Sequence, residues 1–229
     1  MSSIPHAERL RLLAQSPLFK PFATPDLEHM ANRLVERRYR DGQTIFSRGE
    51  PGTCLFAVAR GQVRLGVTSP GGRDALIAVL TAGEAFGELA LLDGGTRSTD
   101  AVAAQGCLLL ALDRRDFFPL LDGVPEVRWH LFRLLCARLR GTTERLERTL
   151  FLSVGGRLAE LLISLADRDD GRRVGLKLSQ ADLGRLIGAS REKVNVELNA
   201  WLSAGVLSRD GRALVIRDRG RLTALAGGC

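Results

Sequence analysis

The sequence predicts an α+β chain in three parts: an antiparallel β domain, one long helix, and a small helix-turn-helix domain. Three observations predict it. Short apolar runs punctuated by Gly/Pro turns fill residues 37–112. A helical pattern then runs unbroken from Pro125 to about Leu150. Two capped helices over 179–204 are followed by a hairpin pattern over 205–216. The expected boundaries are 1–124 for the β domain, 125–152 for the long helix and 153–229 for the C-terminal domain.

Taken in order, residues 5–20 read as a short helix with Ala7, Leu10, Leu13 and Ala14 on one face. A second helix starts after Thr24 at Pro25 and runs to about Glu36, burying Leu27, Met30, Ala31 and Leu34. The strand-like runs are 44–46, 54–58, 62–67, 75–80 and 108–112. Turns are expected at 48–52, Arg60-Gly61, 70–72 and Ala82-Gly83. Even spacing of this kind reads as a sandwich or barrel. Gly83 to Leu92 interrupts it with two glycines, a short helical turn and the polar loop Asp93 to Ser98. Gly87-Glu88 at the start of that turn, with Arg97-Ser98 closing the loop, form an anion cradle on paper: backbone N–H groups, a guanidinium fork and a hydroxyl.

A short helix over 116–121 precedes the long one. Its 26 or so residues span ~39 Å. Phe132, Leu135, Leu139, Thr142, Leu146 and Thr149 recur at alternating spacings of three and four, the seam of a coiled coil. Trp129, Leu131, Leu134 and Ala137 lie off that seam and are expected to pack elsewhere. Homodimerisation follows as an expectation. Ser153 to Gly156 reads as a short hinge, and Arg157 to Asp167 as a helix with Leu158, Leu161, Leu162 and Leu165 inward.

After a short strand at 174–178, Ser179 can cap a helix with Asp182 as its capping-box partner, and Gln180 opens that helix. Gly188-Ala189 breaks it, and Ser190 caps a second helix whose inward face is Val194, Leu198, Trp201 and Leu202. Its outward face begins Arg191, Glu192, Lys193, Asn195. A helix-turn-helix places the first turns of its second helix against base edges. The following strand, Asp-Gly turn and strand carry Arg209 and Arg212 at a basic tip. Helix-turn-helix plus basic hairpin is a winged helix, so double-stranded DNA is the expected partner.

Composition agrees. The net charge is +7 with a pI near 10.0, which favours a polyanionic partner. Residues 153–229 hold 13 Lys+Arg against 9 Asp+Glu, and residues 1–152 hold 20 against 17, so the positive charge is denser in the smaller part. Cys54, Cys107, Cys136 and Cys229 have no metal-binding spacing, which excludes a zinc or iron–sulfur motif and fits a reducing cytoplasm. No signal peptide or membrane span is evident. His6, His29 and His130 are far apart, and no Ser or Cys sits in a nucleophile motif, so nothing supports an enzyme.

Two stretches carry a family resemblance. Gly49 to Val58 with Gly61 to Leu65 looks like the glycine framework of cyclic-nucleotide-binding β-rolls, and Gly83 to Leu92 with Arg97-Ser98 looks like their phosphate-binding cassette. With the long helix and winged helix behind them, nearly the whole chain resembles the CRP/FNR family of bacterial transcription regulators. The resemblance implies a jelly-roll-like β-roll sensor domain, a dimerisation helix and an allosteric effector such as cyclic AMP. It assigns Arg97 and Ser98 to the cyclic phosphate, and Gly87 and Glu88, with Leu89 beside them, to the ribose and nearby backbone. Thr142 and Thr143, from the two subunits, fall to the adenine. Arg191 matches a guanine-reading residue and Glu192 one that accepts from cytosine. Ser179, Gln180, Ser190, Lys193, Asn195, Arg209 and Arg212 complete the expected DNA-binding set, and RNA polymerase is an implied partner.

Departures matter as well. Where relatives carry Arg or Lys, this sequence has Val196, so the target sequence should differ. Residues 1–36 hold no cysteine for an iron–sulfur cluster, and no haem ligands stand out. Two alternatives stay open: a regulator of this family acting without a cyclic nucleotide, and a nucleotide-controlled regulatory subunit that binds no DNA.

Overall fold

The computed structural model describes residues 3–69, 71–72, 74–123, 125–167, 171–174, 178–211 and 213–227, with backbone alone at 122, 123 and 125. The chain divides into two compact units, Met1–Leu139 and Arg140–Cys229.

In the first unit, α1 (His6–Gln15) and α2 (Thr24–Arg33) precede the strands β1 (Val35–Tyr39), β2 (Thr44–Phe46), β3 (Cys54–Thr68), β4 (Asp74–Leu80) and β5 (Ala85–Phe86). Next come α3 (Glu88–Asp93), β6 (Asp100–Asp113) and α4 (Arg114–Gly123), then α5 (Pro125–Phe151), whose residues up to Leu139 belong to this unit and the rest to the second. The sheet runs β1-β6-β3-β4, with β2 also on β6 and β5 on β3, all pairs antiparallel. The long strands β3 and β6 hold it together because both of their faces are buried. Leu55, Ala57, Ala59, Leu108, Leu110 and Leu112 point into a core with Leu12, Phe19, Met30, Phe117 and Val127. The alternate residues Phe56, Val58, Leu109 and Ala111 point into a second core with Phe46 and Phe86. A strand buried on both sides reads as a continuous apolar run, which is why the sequence shows apolar runs here and not strict alternation.

The structure corrects several boundaries. In α1 the buried residues are Leu12 and Leu13, while Ala7 and Ala14 face solvent. The second helix stops at Arg33, and Val35–Tyr39 continues as β1 because it pairs with Cys107–Ala111 of β6. Arg60-Gly61 is no turn: β3 runs through it on a register shift, with Gly61 at φ +84°. A Cβ there would lie 2.5 Å from the Gly106 carbonyl, so only glycine lets the two long strands approach at the bulge. Strand β6 begins eight residues before Leu108, at Asp100.

On α5, Trp129, Phe132, Leu139, Leu146 and Leu150 are exposed, Leu131 is buried and Leu134 is partly buried. Trp129 and Ala137 therefore join the exposed surface instead of packing inward, and Leu135 is half-buried.

In the second unit, α6 (Val154–Asp167), α7 (Gln180–Ile187), α8 (Arg191–Ser203) and α9 (Arg219–Ala226) pack with a small sheet in the order β7-β9-β8. Its strands are β7 (Arg173–Val174), β8 (Leu207–Asp210) and β9 (Ala213–Ile216). Leu158, Leu162, Leu183, Val194, Leu198, Trp201, Val206, Ile216 and Leu222 form its core. Asp210 pairs with Ala213, so it belongs to strand β8 and not to the turn that an Asp-Gly pair was expected to make.

Candidate functional site

Two glycine-dependent turns bring Arg97 inside the roll. The chain at Thr96–Arg97 pairs with the 49–51 loop: the Arg97 N–H donates to the Glu50 carbonyl (2.8 Å) and the Gly49 N–H to the Arg97 carbonyl (2.9 Å). Gly87 sits at φ +79°, and a Cβ there would lie 2.6 Å from Arg97 Nη1. The guanidinium donates to the carbonyls of Gly87 (Nη1, 2.8 Å) and Cys54 (Nη2, 2.8 Å) and lies 4.3 Å from the centroid of the Phe46 ring. Arg97 is only 5% exposed. Its Nε has no hydrogen-bond partner, and no carboxylate reaches it among the described residues. A buried guanidinium with a donor to spare and no counter-ion among the described residues has the electrostatics to take an anion. The residues present therefore fit a phosphate.

Glu88 opens α3 and is 4% exposed. Its carboxylate is ion-paired with Arg138 of α5. Both border a cleft of about 380 Å³ lined chiefly by Leu80, Leu92, Leu131 and Leu134; Arg97 is not among its lining residues. Leu89 and Ser98 are exposed at the edges of the same α3–loop segment. Thr142 and Thr143 lie exposed on α5, in the portion assigned to the second unit. Sequence reasoning missed Arg138. The signal available was its position four residues, about one helical turn, before Thr142.

In the second unit the capping box forms as expected. Ser179 Oγ accepts from the Asp182 N–H (3.1 Å), and Asp182 Oδ2 accepts from the Ser179 N–H (3.1 Å) and hydroxyl (2.8 Å). Ser190 caps α8 by accepting from the Lys193 N–H (3.3 Å). Arg191, Glu192, Lys193 and Asn195 are all exposed. Glu192's own N–H and the Ser190 hydroxyl, with Arg191 alongside, hold the Glu192 carboxyl below the usual carboxylate range, so it is an acceptor at neutral pH. Asn195 Oδ1 accepts from Gln180 Nε2 (3.0 Å) and from Asn199 Nδ2 (3.3 Å), an amide chain that ties α7 to the outer face of α8. Asn199 was not among the expected residues; its i+4 spacing from Asn195 was the available sign. Arg209 is exposed on β8 near the wing tip, and Arg212 lies outside the described residues.

A roll enclosing a cationic anion site, joined in one chain to a capped helix pair with a wing, defines a ligand-sensing DNA-binding protein. Comparison with known proteins bears this out. Residues 36–123 match the Cyclic nucleotide-binding domain family and residues 156–225 the Crp-like helix-turn-helix domain family. The chain is 31% identical over 220 residues to the CRP-like cAMP-activated global transcriptional regulator of Mycobacterium tuberculosis, covering 94% of this chain and 98% of that one. It is 35% identical over 213 residues to the Cyclic AMP receptor protein of Thermus thermophilus, covering 93% and 98%. The structure of FixK2 from Bradyrhizobium japonicum shares the fold, with a TM-score of 0.77 at 24% identity over 84% of this chain and 96% of that one. The chain belongs to the CRP/FNR family of transcription regulators.

Proposed function

We propose that the chain is a homodimeric transcription regulator whose affinity for DNA is set by a cyclic nucleotide, cyclic AMP in the first instance, held in the roll. The observation that carries this reading is Arg97: a buried cation with an unpartnered Nε and no counter-ion among the described residues. The names of the Mycobacterium tuberculosis and Thermus thermophilus relatives support the choice of nucleotide. The bound nucleotide would supply the phosphate charge. Arg97 and Ser98 would hold that phosphate, Gly87, Glu88 and Leu89 would border the sugar, and Thr142 and Thr143 would offer hydroxyls to the base.

Residues 1–124 serve as sensor, 125–152 as dimerisation helix and 153–229 as DNA-binding domain in this reading. Arg191, Glu192 and Asn195 face base edges. Ser179, Gln180, Ser190, Lys193 and the wing arginines Arg209 and Arg212 take phosphates. The nucleotide must bind the DNA-competent state more tightly than the other; moving the population from mostly off to mostly on takes about 5 kcal/mol of such preference. The protein acts in the cytoplasm, engages RNA polymerase and catalyses no reaction. No helix among the described residues is long and apolar enough to cross a membrane.

One observation favours a second reading. Glu88 is already paired with Arg138, and Arg97 already donates to two carbonyls, as a pocket kept only as scaffold would require. Calorimetric titration of the full chain with cyclic AMP decides between them. Saturation at one nucleotide per chain, lost in Arg97→Ala, supports nucleotide control. No heat and no thermal shift would leave the scaffold reading and a different signal.

A further inference from the structure

Val196 stands on α8 opposite the residues that anchor the helix. Successive helical residues are about 100° apart. The buried Val194, Leu198 and Trp201 therefore cluster on one side, and Val196, two residues from both Val194 and Leu198, projects to the other. It is 67% exposed. Its helical neighbours Glu192, Lys193, Asn199 and Ala200 are exposed too, so this face of α8 is open around it.

A lone exposed valine is ordinary on a protein surface. Here, however, it lies in the second turn of the helix that a helix-turn-helix seats in the major groove. Beside it, Gln180 and Asn199 both donate to Asn195 Oδ1, which fixes that amide in place and turns its N–H donors, not its carbonyl, to a base edge. A branched apolar side chain can neither donate to nor accept from a base edge. The apolar feature that the four bases offer in the major groove is the C5-methyl of thymine.

We propose that Val196 reads thymine through its C5-methyl group, making one T·A pair in each half-site a determinant of the target sequence. This rests on the DNA-binding reading above and adds to it the identity of one base.

The test starts by selecting duplexes from a randomised pool with the full-length protein, in the presence of cyclic AMP. Uracil then replaces each thymine of the selected sequence in turn, which deletes the methyl and leaves the pairing edge intact. One symmetric thymine position should weaken binding about fourfold per half-site, the equivalent of ~0.8 kcal/mol for one buried methylene-sized group. For Val196→Ala the thymine and uracil duplexes should differ by less than twofold at that position. The proposal is overturned if no thymine is sensitive, or if the sensitive one stays equally so in Val196→Ala. Failure to select any sequence would remove the DNA-reading face itself, a result distinct from either uracil outcome.

Discussion

Arg138, on α5, closes on the carboxylate of Glu88 at the start of α3, 50 residues earlier in the chain. The pair is lopsided: the Glu88 side chain is nearly buried and that of Arg138 is 55% exposed. Its value lies less in attraction than in what its loss would leave behind, a carboxylate out of water with no cation. Arg138→Ala should therefore cost about 1–2 kcal/mol, between the ranges for exposed and buried pairs. Glu88→Gln in the same background should recover most of it, because the neutral amide needs no counter-charge. Urea unfolding of the single and double variants checks this, and additive losses would show that the two side chains do not act as a pair.

The capping box of α7 makes a local prediction. Ser179→Ala removes the acceptor for the Asp182 N–H, as well as the hydroxyl that donates to Asp182 Oδ2. Cap removal costs ~1 kcal/mol, with a range of about 0.5–2. Thermal unfolding should show that loss, and hydrogen exchange should place it in 179–187. Ser179→Asp keeps an acceptor at the cap but sets a second carboxylate beside Asp182, so it should restore only part of the loss.

Glu36 predicts a dependence on pH. The Ser3 hydroxyl (2.5 Å), the Ile4 N–H (2.7 Å) and the Arg9 guanidinium (3.0 Å) all donate to its Oε1, tying the N-terminal segment to β1. The Ser3 bond first, then the Ile4 bond and the charge of Arg9, lower its pKa below the usual value of 4.5. A pKa lower in the folded than in the unfolded chain means that the unfolded chain takes up protons first as the solution is acidified. The contribution of Glu36 to stability is thus complete above about pH 4.5 and lost as pH falls through the folded value. Glu36→Gln should be about 1–2 kcal/mol less stable at pH 7, and the gap should close below pH 4.5. A gap of constant size from pH 7 to pH 3 would mean that the charge plays no part.

What could be read in advance was whatever is coded locally. The caps at Ser179 and Ser190 and the break at Gly188 depend on residues a few positions apart, and their geometry came out as expected. The features that were missed depend on distant partners. Val35-Glu36 looks like the tail of a helix until Cys107–Ala111 lies beside Val35–Tyr39. The first half of β6, rich in alanine, has little strand propensity, and its pairing with β3 overrides that. The cradle at Arg97 was legible as residue types in a loop. Its burial was not, because that follows from Phe46 and Phe56 flanking it from two separate strands, with Phe86 packed on both rings.

The exposed stripe of α5 carries the last prediction. Phe132, Leu139 and Leu146 belong to the expected seam, and all three remain exposed in the single chain. Trp129, whose ring centroid lies 6.0 Å from that of Phe132, and Leu150 extend the stripe at both ends. Large apolar side chains at spacings of three, seven, seven and four along one helix are an unfinished core, and a second copy of the same helix completes it in the proposed dimer. Burying one leucine is worth about 1.5–3 kcal/mol, and a two-fold seam contains each leucine twice. Leu139→Ala should therefore weaken the dimer by about 3–6 kcal/mol, less whatever the alanine methyl retains, so the dissociation constant should rise on the order of a hundredfold. Sedimentation equilibrium over a range of protein concentrations reads that shift directly. Nucleotide titration of the same variant at concentrations where it is monomeric then shows whether the sensor domain binds without its partner, since Leu139 is 68% exposed and lies outside the core around Arg97. An unchanged dimer in Leu139→Ala and Leu146→Ala would place the interface on another surface.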